Sequence, residues 1–328
     1  MINKLEKIIY ETPLFGKIKN EIIKQEFTNV YLVESADDIY LRTFMMMFAT
    51  LFLSDNINNF EQFSTEIAKI ENHPNINIFG FQDEKINMDL VDNILDVTIL
   101  SSYLSNKKKI ILVNDISTFD IRYQNKLLKT LEESNSNNIF ILGAKNSTLV
   151  IDTVKSRCKK IQLPKLANET VLPLFDGYQE NRFDFAYQFF SGNISTMYNI
   201  IEDDEYFNIY NIVKETMLGM RNSRQILEYY ERVNEFISRK GNLEKSRMYL
   251  SKLMDMYSVY IKYLIEFDAS NEDGEAEEIL KFYNKISLAY IIYNIIEVNT
   301  KNKFNINPNE LYKMFLFKML EVRYQCQK

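Results

Sequence analysis

The apolar pattern of this 328-residue chain changes at Pro164. Before Pro164, short apolar runs alternate with longer amphipathic stretches, a pattern typical of β-α units around a parallel sheet. The runs predicted as strands are residues 29–33, 76–81, 110–113, 139–142 and 160–163. The helices predicted between them are residues 39–53, 60–70, 89–104 and 119–133, and the pair Ser117 and Asp120 predicts a capping box at the start of the last. We therefore expect residues 1–164 to form an α/β domain with a five-stranded parallel sheet.

After Pro164 the pattern predicts only helices. A break marked by glycine at residues 191–193 suggests a small helical lid over residues 165–204. The remaining residues, 205–328, are expected to form an antiparallel helical bundle, since short polar joints separate long amphipathic segments. These segments are residues 206–218, 223–238, 243–267, 275–298 and 308–324. Asn307, Pro308 and Glu310 fit the N-cap, N1 and N3 positions of the last one.

Charge and cysteine content exclude several classes of protein. A net charge of −6 and a pI near 5.2 argue against a free-standing nucleic-acid binder, which needs surplus Lys and Arg. Two cysteines, Cys158 and Cys326, can form neither a disulfide framework nor a four-thiolate zinc site. The longest apolar stretch, residues 44–53, is about half the ~20 residues of a bilayer span, and residues 1–12 lack the features of a secretory signal. These observations predict a cytoplasmic location.

The turn between the first predicted strand and helix is the position of a phosphate-binding loop, but its residues are wrong. The pattern G-x-x-x-x-G-K-[ST] would put Glu34 and Ile39 at the glycines, Tyr40 at the lysine and Leu41 at the hydroxyl. Acidic side chains at residues 34, 37 and 38 would repel a phosphate. ATP binding is therefore not expected here, and it is equally open that the turn was never such a loop.

Other candidate chemistry is sparse. The strand ending in Asn114 and Asp115 lies where related topologies hold magnesium, but Asn114 lacks the charge and Asp115 alone is more often a turn or cap residue. His73, the single histidine, stands beside Pro74 and is expected to shape a turn; triads that need a further histidine are excluded. Cys158 is expected to be a small buried side chain. No metal site is predicted.

One segment carries a family resemblance. Residues 125–133 read N-K-L-L-K-T-L-E-E, and after the next predicted strand residues 156–158 read S-R-C. This order and spacing resemble the bacterial DNA polymerase III clamp loader, an AAA+ family with a RecA-like sheet domain, a helical lid and a C-terminal helical collar. His73-Pro74-Asn75 resembles the H-P-D motif of that family. Residues 108–115 resemble its second strand with an acidic end. The resemblance extends over about residues 25–165.

Within that family, the chain resembles the delta prime type of subunit. It lacks the intact phosphate loop and the four zinc cysteines of the motor subunits, gamma or tau, and it has the S-R-C triplet that delta lacks. It also lacks the zinc cysteines of many delta prime chains, and Ser134 replaces a usual proline. The resemblance implies no cofactor of its own.

The resemblance further implies that Arg157 reaches ATP held by a neighbouring subunit, with Ser156 and Cys158 positioning it. A permanently charged guanidinium can neutralise charge on a transferring γ-phosphoryl group. By spacing alone, Arg157 would instead be a surface residue in the basic segment with Lys155, Lys159 and Lys160.

The implied partners are the motor subunits, delta, the sliding clamp and, through the assembly, primed DNA. A second hypothesis is that the lysines of the Arg157 segment, Lys155, Lys159 and Lys160, contact phosphates of the template DNA together with residues 107–109. Two other functions stay open: an active AAA+ ATPase with an unusual nucleotide loop, and a helical scaffold unrelated to replication.

Overall fold

The five apolar runs form one parallel sheet in the computed structural model. The strands are β1 (Val30–Glu34), β2 (Ile76–Phe79), β3 (Lys109–Val113), β4 (Asn138–Ala144) and β5 (Lys159–Gln162), in the order β2-β3-β4-β1-β5. Each end lies within two residues of its predicted position. The predicted fold class, an α/β domain with a five-stranded parallel sheet followed by helical regions, is confirmed.

The structure describes residues 1–54, 59–81, 86–99, 108–132, 137–178, 186, 193–220, 223–239, 242–267, 273–302, 304 and 306–325. The described residues form two compact units. The first comprises Met1–Tyr178 together with residues 193–198, and the second begins at Asn199 and includes Ala186. The predicted lid, residues 165–204, is divided between these units, and the division into three domains stays a prediction.

Helices cover the sheet of the first unit. They are α1 (Ile2–Glu11), α2 (Pro13–Ile23), α3 (Asp38–Leu53), α4 (Phe60–Ile70), α5 (Met88–Ile99), α6 (Ile121–Glu132), α7 (Asp152–Lys155) and α8 (Asn168–Val171). Strands β3 and β4 are buried along their whole length, which explains their continuous apolar sequence. The Tyr31 ring of β1 meets the Phe48 ring of α3 edge-on, with 4.8 Å between ring centroids. One part of the core therefore lies between the sheet and α3, and another part, on the opposite face, packs the strands against α5 and α6.

Two local predictions need correction or addition. Helix α6 begins at Ile121, and its first amides, those of Arg122 and Tyr123, donate to the Asp120 carboxylate, so Ser117 is not the N-cap. Ser117 lies instead in a short 3₁₀ turn, Ile116–Thr118, because the Asp115 carboxylate accepts from its amide. Helices α1 and α2 were not predicted; Thr12 caps α2 just before Pro13.

The second unit is helical in its described residues. Helix α9 (Ile194–Glu202) begins in the first unit and continues into the second. It is followed by α10 (Asp204–Gly219), α11 (Ser223–Arg239), α12 (Leu243–Glu266), α13 (Gly274–Leu280), α14 (Lys285–Asn302) and α15 (Pro308–Gln325). The predicted break at residues 191–193 lies outside the described residues except for Asn193, whose side chain caps α9 by accepting from Thr196 N.

The predicted single helix over residues 275–298 is wrong. The chain leaves α13 at Leu280 and starts α14 at Lys285. Asn284 breaks the run because its side-chain oxygen accepts from Ser287 N at 2.8 Å, and it thereby caps a new helix. The Asn307 cap of α15 is present as predicted, since Asn309 N donates to its side chain. No described helix is long and apolar enough to span a bilayer.

Candidate functional site

The turn between β1 and α3 contains a buried carboxylate where a phosphate loop would hold an anion. Asp37 is 7% exposed, and its Oδ1 accepts from Tyr40 N at 3.1 Å. Its own amide donates to Ser35 Oγ at 3.2 Å. Asp37 is therefore the N-cap of α3 and lies at the positive end of the helix dipole.

The same carboxylate also contacts the start of α9. Ile194 N and Ser195 N donate to Asp37, and Ser195 Oγ donates to Asp37 Oδ1 at 2.5 Å. Ser195 Oγ in turn accepts from Ile39 N at 2.6 Å. The amides of Ile39 and Tyr40, which would face an incoming phosphate, are thus already paired. A nucleotide phosphate would displace Ser195 and meet the charge of Asp37, so the residues present do not fit one.

The other candidate loop residues have structural positions. Glu34 ends β1, and its carbonyl accepts from Leu163 N beside β5. Ile39, Tyr40 and Leu41 form the first turn of α3, and Tyr40 and Leu41 are buried. Burial, and secondarily the charge of Asp37, raises the pKa of Tyr40 to about 12. Tyr40 does not supply the cation of the lysine position, and Leu41 does not supply the hydroxyl of the Ser/Thr position.

Asn114 and Asp115, which follow β3, are both buried and hydrogen-bond with neighbouring groups of the chain. Asp115 Oδ1 accepts from Ser117 N and Lys145 N, both at 3.1 Å. Lys145 Nζ lies 3.6 Å from Asp115 Oδ2 and 3.3 Å from Asp38 Oδ1, so this ammonium is shared between two carboxylates. Asn114 Nδ2 donates to Gly80 O at 3.1 Å. The geometry makes Asp115 a cap residue.

Gly143 keeps this strand end close-packed. A Cβ at Gly143 would lie 1.9 Å from the Asn114 carbonyl oxygen and 2.7 Å from Met45 Sδ. Only glycine allows β4 to approach the backbone after β3 this closely.

Arg157 lies in the turn between α7 and β5, and 31% of its side chain is exposed. Its Nη1 donates to Thr153 O at 2.6 Å, and its Nη2 forms an ion pair with the Glu132 carboxylate of α6. Its Nε is shielded from solvent and has no hydrogen-bond partner among the described residues. Local contacts therefore hold the guanidinium at the surface instead of in the core.

The neighbours of Arg157 differ in exposure. Ser156 is exposed, and its Oγ donates to Thr153 O and lies 3.4 Å from Arg157 Nη1. Cys158 packs against the hydrophobic core, and its thiol donates to Val154 O at 3.1 Å. Burial raises the pKa of the Cys158 thiol to about 12, although the nearby Lys160 charge acts in the opposite direction. These contacts anchor the turn on both sides of Arg157.

Several predicted basic residues are paired or buried. Lys155 lies 3.2 Å from Asp152, and Lys159 lies 2.7 Å from Glu21. Lys109 is buried and donates to Val97 O, while Lys108 lies over the Phe27 ring. Lys107, Cys326 and Ser134 lie outside the described residues. The amide of Asn75 donates to His73 Nδ1, so the histidine shapes the turn before β2.

Sequence reasoning did not find three of the groups that define these turns. Glu132, the partner of Arg157, lies in the N-K-L-L-K-T-L-E-E run of residues 125–133, but nothing in this run indicates the contact. Ser195 and Lys145 carry no motif, and folding brings them to Asp37 and Asp115 from distant parts of the chain. Among the described residues, no cluster of three or more His, Cys, Asp or Glu side chains could bind a metal ion.

The sheet order and the turn after β1 define a class of protein: an α/β domain with a five-stranded parallel sheet, in which the turn after β1 is closed by the chain's own hydrogen bonds. A family model described as DNA polymerase III, delta subunit, matches residues 10–167, slightly less than half of the chain. This match covers the sheet and the Arg157 turn.

Two solved structures are similar to this chain. A DNA polymerase III gamma-subunit-related protein from Thermotoga maritima is 14% identical, with a TM-score of 0.45, and the likeness covers 93% of this chain and 99% of that chain. The Bacillus subtilis DNA clamp loader delta protein is 10% identical, with a TM-score of 0.30, covering 94% of this chain and 99% of that one. No curated protein matches.

Proposed function

We propose that this chain is a delta prime-like, non-catalytic subunit of a DNA polymerase III clamp loader. In this role it joins motor subunits (gamma or tau) and a delta subunit, and the assembly loads a sliding clamp on primed DNA in the cytoplasm. The chain hydrolyses no ATP itself and supplies Arg157 to a nucleotide that a neighbouring subunit holds. The family match over residues 10–167 supports the clamp-loader part of the proposal.

The observation that carries the non-catalytic part is the pairing of the first amides of α3. Ile39 N donates to Ser195 and Tyr40 N donates to Asp37, so the chain occupies its own anion position. Lys145, which lies 3.3 Å from Asp38 at the start of α3, is paired with Asp38 and Asp115. A triphosphate at this turn would have to break these contacts and also overcome the charge of Asp37.

The surface position of Arg157 supports its role in trans. The backbone carbonyl of Thr153 and the carboxylate of Glu132 orient the guanidinium without burying it. A partly exposed ion pair contributes less than about 1 kcal/mol, so a phosphate from another subunit can replace Glu132 at little cost. Phosphate and guanidinium then pair in the planar geometry that Arg favours.

Helix α14 supports assembly through the C-terminal helices. Four of its apolar side chains are exposed and recur at helical spacing, so that they form one stripe: Ile286, Tyr290, Tyr293 and Ile296. Its opposite side is buried at Leu288, Ile291 and Ile295. A helix that is apolar on two sides buries only one of them in its own bundle, and the other is available to a collar of neighbouring subunits.

The proposal is tested by reconstituting the chain with the motor and delta subunits, the clamp and primed DNA. We expect wild type to support loading, and Arg157→Ala to slow DNA-stimulated hydrolysis at the site it serves by about 10³-fold or more, the usual effect of losing such an arginine. The matched control is Arg122→Ala, because the Arg122 side chain is 83% exposed and pairs with Asp120, two residues away.

Three results would contradict the proposal. Undiminished hydrolysis and loading with Arg157→Ala would refute the role of the arginine. Binding of ATP to the isolated chain with micromolar affinity would support an active ATPase instead. Failure to associate with any clamp-loader subunit would favour a helical scaffold.

A contribution of basic residues to DNA binding is a smaller part of the proposal. Lys160 is exposed, whereas Lys155 and Lys159 are paired with carboxylates of the chain. Charge reversal at Lys159 and Lys160 is expected to lower the DNA affinity of the assembly in a salt-dependent way. Unchanged affinity would reject this contact.

A further inference from the structure

Two helices that are distant in sequence begin at the same carboxylate. Asp37 caps α3 through Tyr40 N, and 157 residues later Ile194 N, at the start of α9, donates to the same side chain. Ser195 extends the contact, since its amide and its hydroxyl both donate to Asp37. The Ser195 hydroxyl also accepts from Ile39 N. The two helix starts are therefore joined by a closed set of hydrogen bonds.

This arrangement is electrostatically favourable at both helices. The first amides of a helix have no partner within the helix, and the helix dipole places partial positive charge there. One negative charge between two such ends satisfies donors from both, and the low exposure of Asp37 strengthens each bond. Either helix start without the carboxylate would leave amide donors facing each other across the turn.

We propose that Asp37 is a built-in anion that pins the start of α9 to the start of α3. It takes the place that an external phosphate has at a helix N-terminus. The contact between the two helix starts is then held by a carboxylate that is part of the chain, so it does not depend on a bound nucleotide. The contacts of Asp37 with Ile194 and Ser195 lie within the first unit, so the proposal concerns the order of the first turn of α9. This inference does not depend on Arg157.

Hydrogen exchange on the full chain tests the proposal. We expect Asp37→Ala to speed exchange of the Ile194 and Ser195 amides by about tenfold or more, since their acceptor is lost. The matched control is Asp38→Ala. Asp38 is the neighbouring carboxylate, but it pairs with Arg42 and Lys145. Exchange at the start of α9 should be unchanged in this control.

A second variant separates the pinning of α9 from the capping of α3. Asn is a good N-cap, so Asp37→Asn preserves the bond to Tyr40 N, but it presents one acceptor and no charge to Ile194 and Ser195. We expect faster exchange at the start of α9 and unchanged exchange in the first turn of α3. Unchanged exchange of α9 in Asp37→Asn would overturn the proposal. An equal increase in the exchange rates of the buried β4 amides would also overturn it, because it would indicate that the whole domain is destabilised.

Discussion

The turn after β1 and the turn before β5 differ in the sign and the burial of the charged group that each contains. After β1, the carboxylate of Asp37 is buried and surrounded by donors from α3 and α9. Before β5, the guanidinium of Arg157 is partly exposed, and only Thr153 and Glu132 hold it. In the first turn, Asp37 occupies the position that the phosphate of a nucleotide would take. In the second turn, the Arg157 guanidinium is accessible to another molecule. This difference fits the proposed function, in which the chain holds no nucleotide of its own and Arg157 serves the nucleotide of a neighbouring subunit.

The largest expected effect concerns the rigidity of the Arg157 turn. Cys158 should react with iodoacetamide at pH 8 about a thousandfold more slowly than an ordinary thiol, because burial raises its pKa to about 12 and only the thiolate reacts. The pKa is raised, so the rate should climb about tenfold per pH unit between pH 8 and 11. Mass spectrometry of Cys326→Ser measures it, with the same protein unfolded in urea as the reference.

Fast alkylation of native Cys158 at pH 8 would break the comparison. It would mean that the turn before β5 opens readily. Arg157 would then have no defined position.

A smaller effect is expected where the end of β4 approaches the backbone that follows β3. Gly143→Ala should lower the free energy of unfolding by about 3 kcal/mol, since the new methyl group would collide with the Asn114 carbonyl. Urea unfolding followed by circular dichroism measures the change. The control is Gly16→Ala in α2, where no atom lies within 4 Å of the new Cβ, and it should raise stability by about 0.5–1 kcal/mol. A fully stable Gly143→Ala would show that the close approach is not required.

The smallest effect is expected from Glu132→Gln. The ion pair with Arg157 is partly exposed, so stability should change by less than about 1 kcal/mol. Hydrolysis by the reconstituted assembly should stay within about threefold of wild type, because Thr153 still orients the guanidinium. A loss as large as that of Arg157→Ala would show that Glu132 is needed for the reaction and is not merely a resting partner.

The extent of prediction differs between elements and contacts. Strands β3 and β4 were predictable because a buried parallel strand needs an uninterrupted apolar run, and Ile110–Val113 and Ile139–Leu142 supply one. The break before α14 was missed because both flanking segments keep helical spacing, and only the capping geometry of Asn284 reveals it. The capping box at Ser117 was misplaced because Asp115 competes for its amide.

The sequence alone determined the elements and the residue types at each turn. Apolar periodicity depends on neighbours within a few positions, so it predicted the sheet and most helices. The residues of the turn after β1 showed that the glycines, the lysine and the hydroxyl of a phosphate loop are missing from their positions. Only the tertiary structure decided what those turns do. The partners of Asp37 and Arg157 come from Ser195 and Glu132, and such contacts depend on how distant segments pack, which no local pattern encodes.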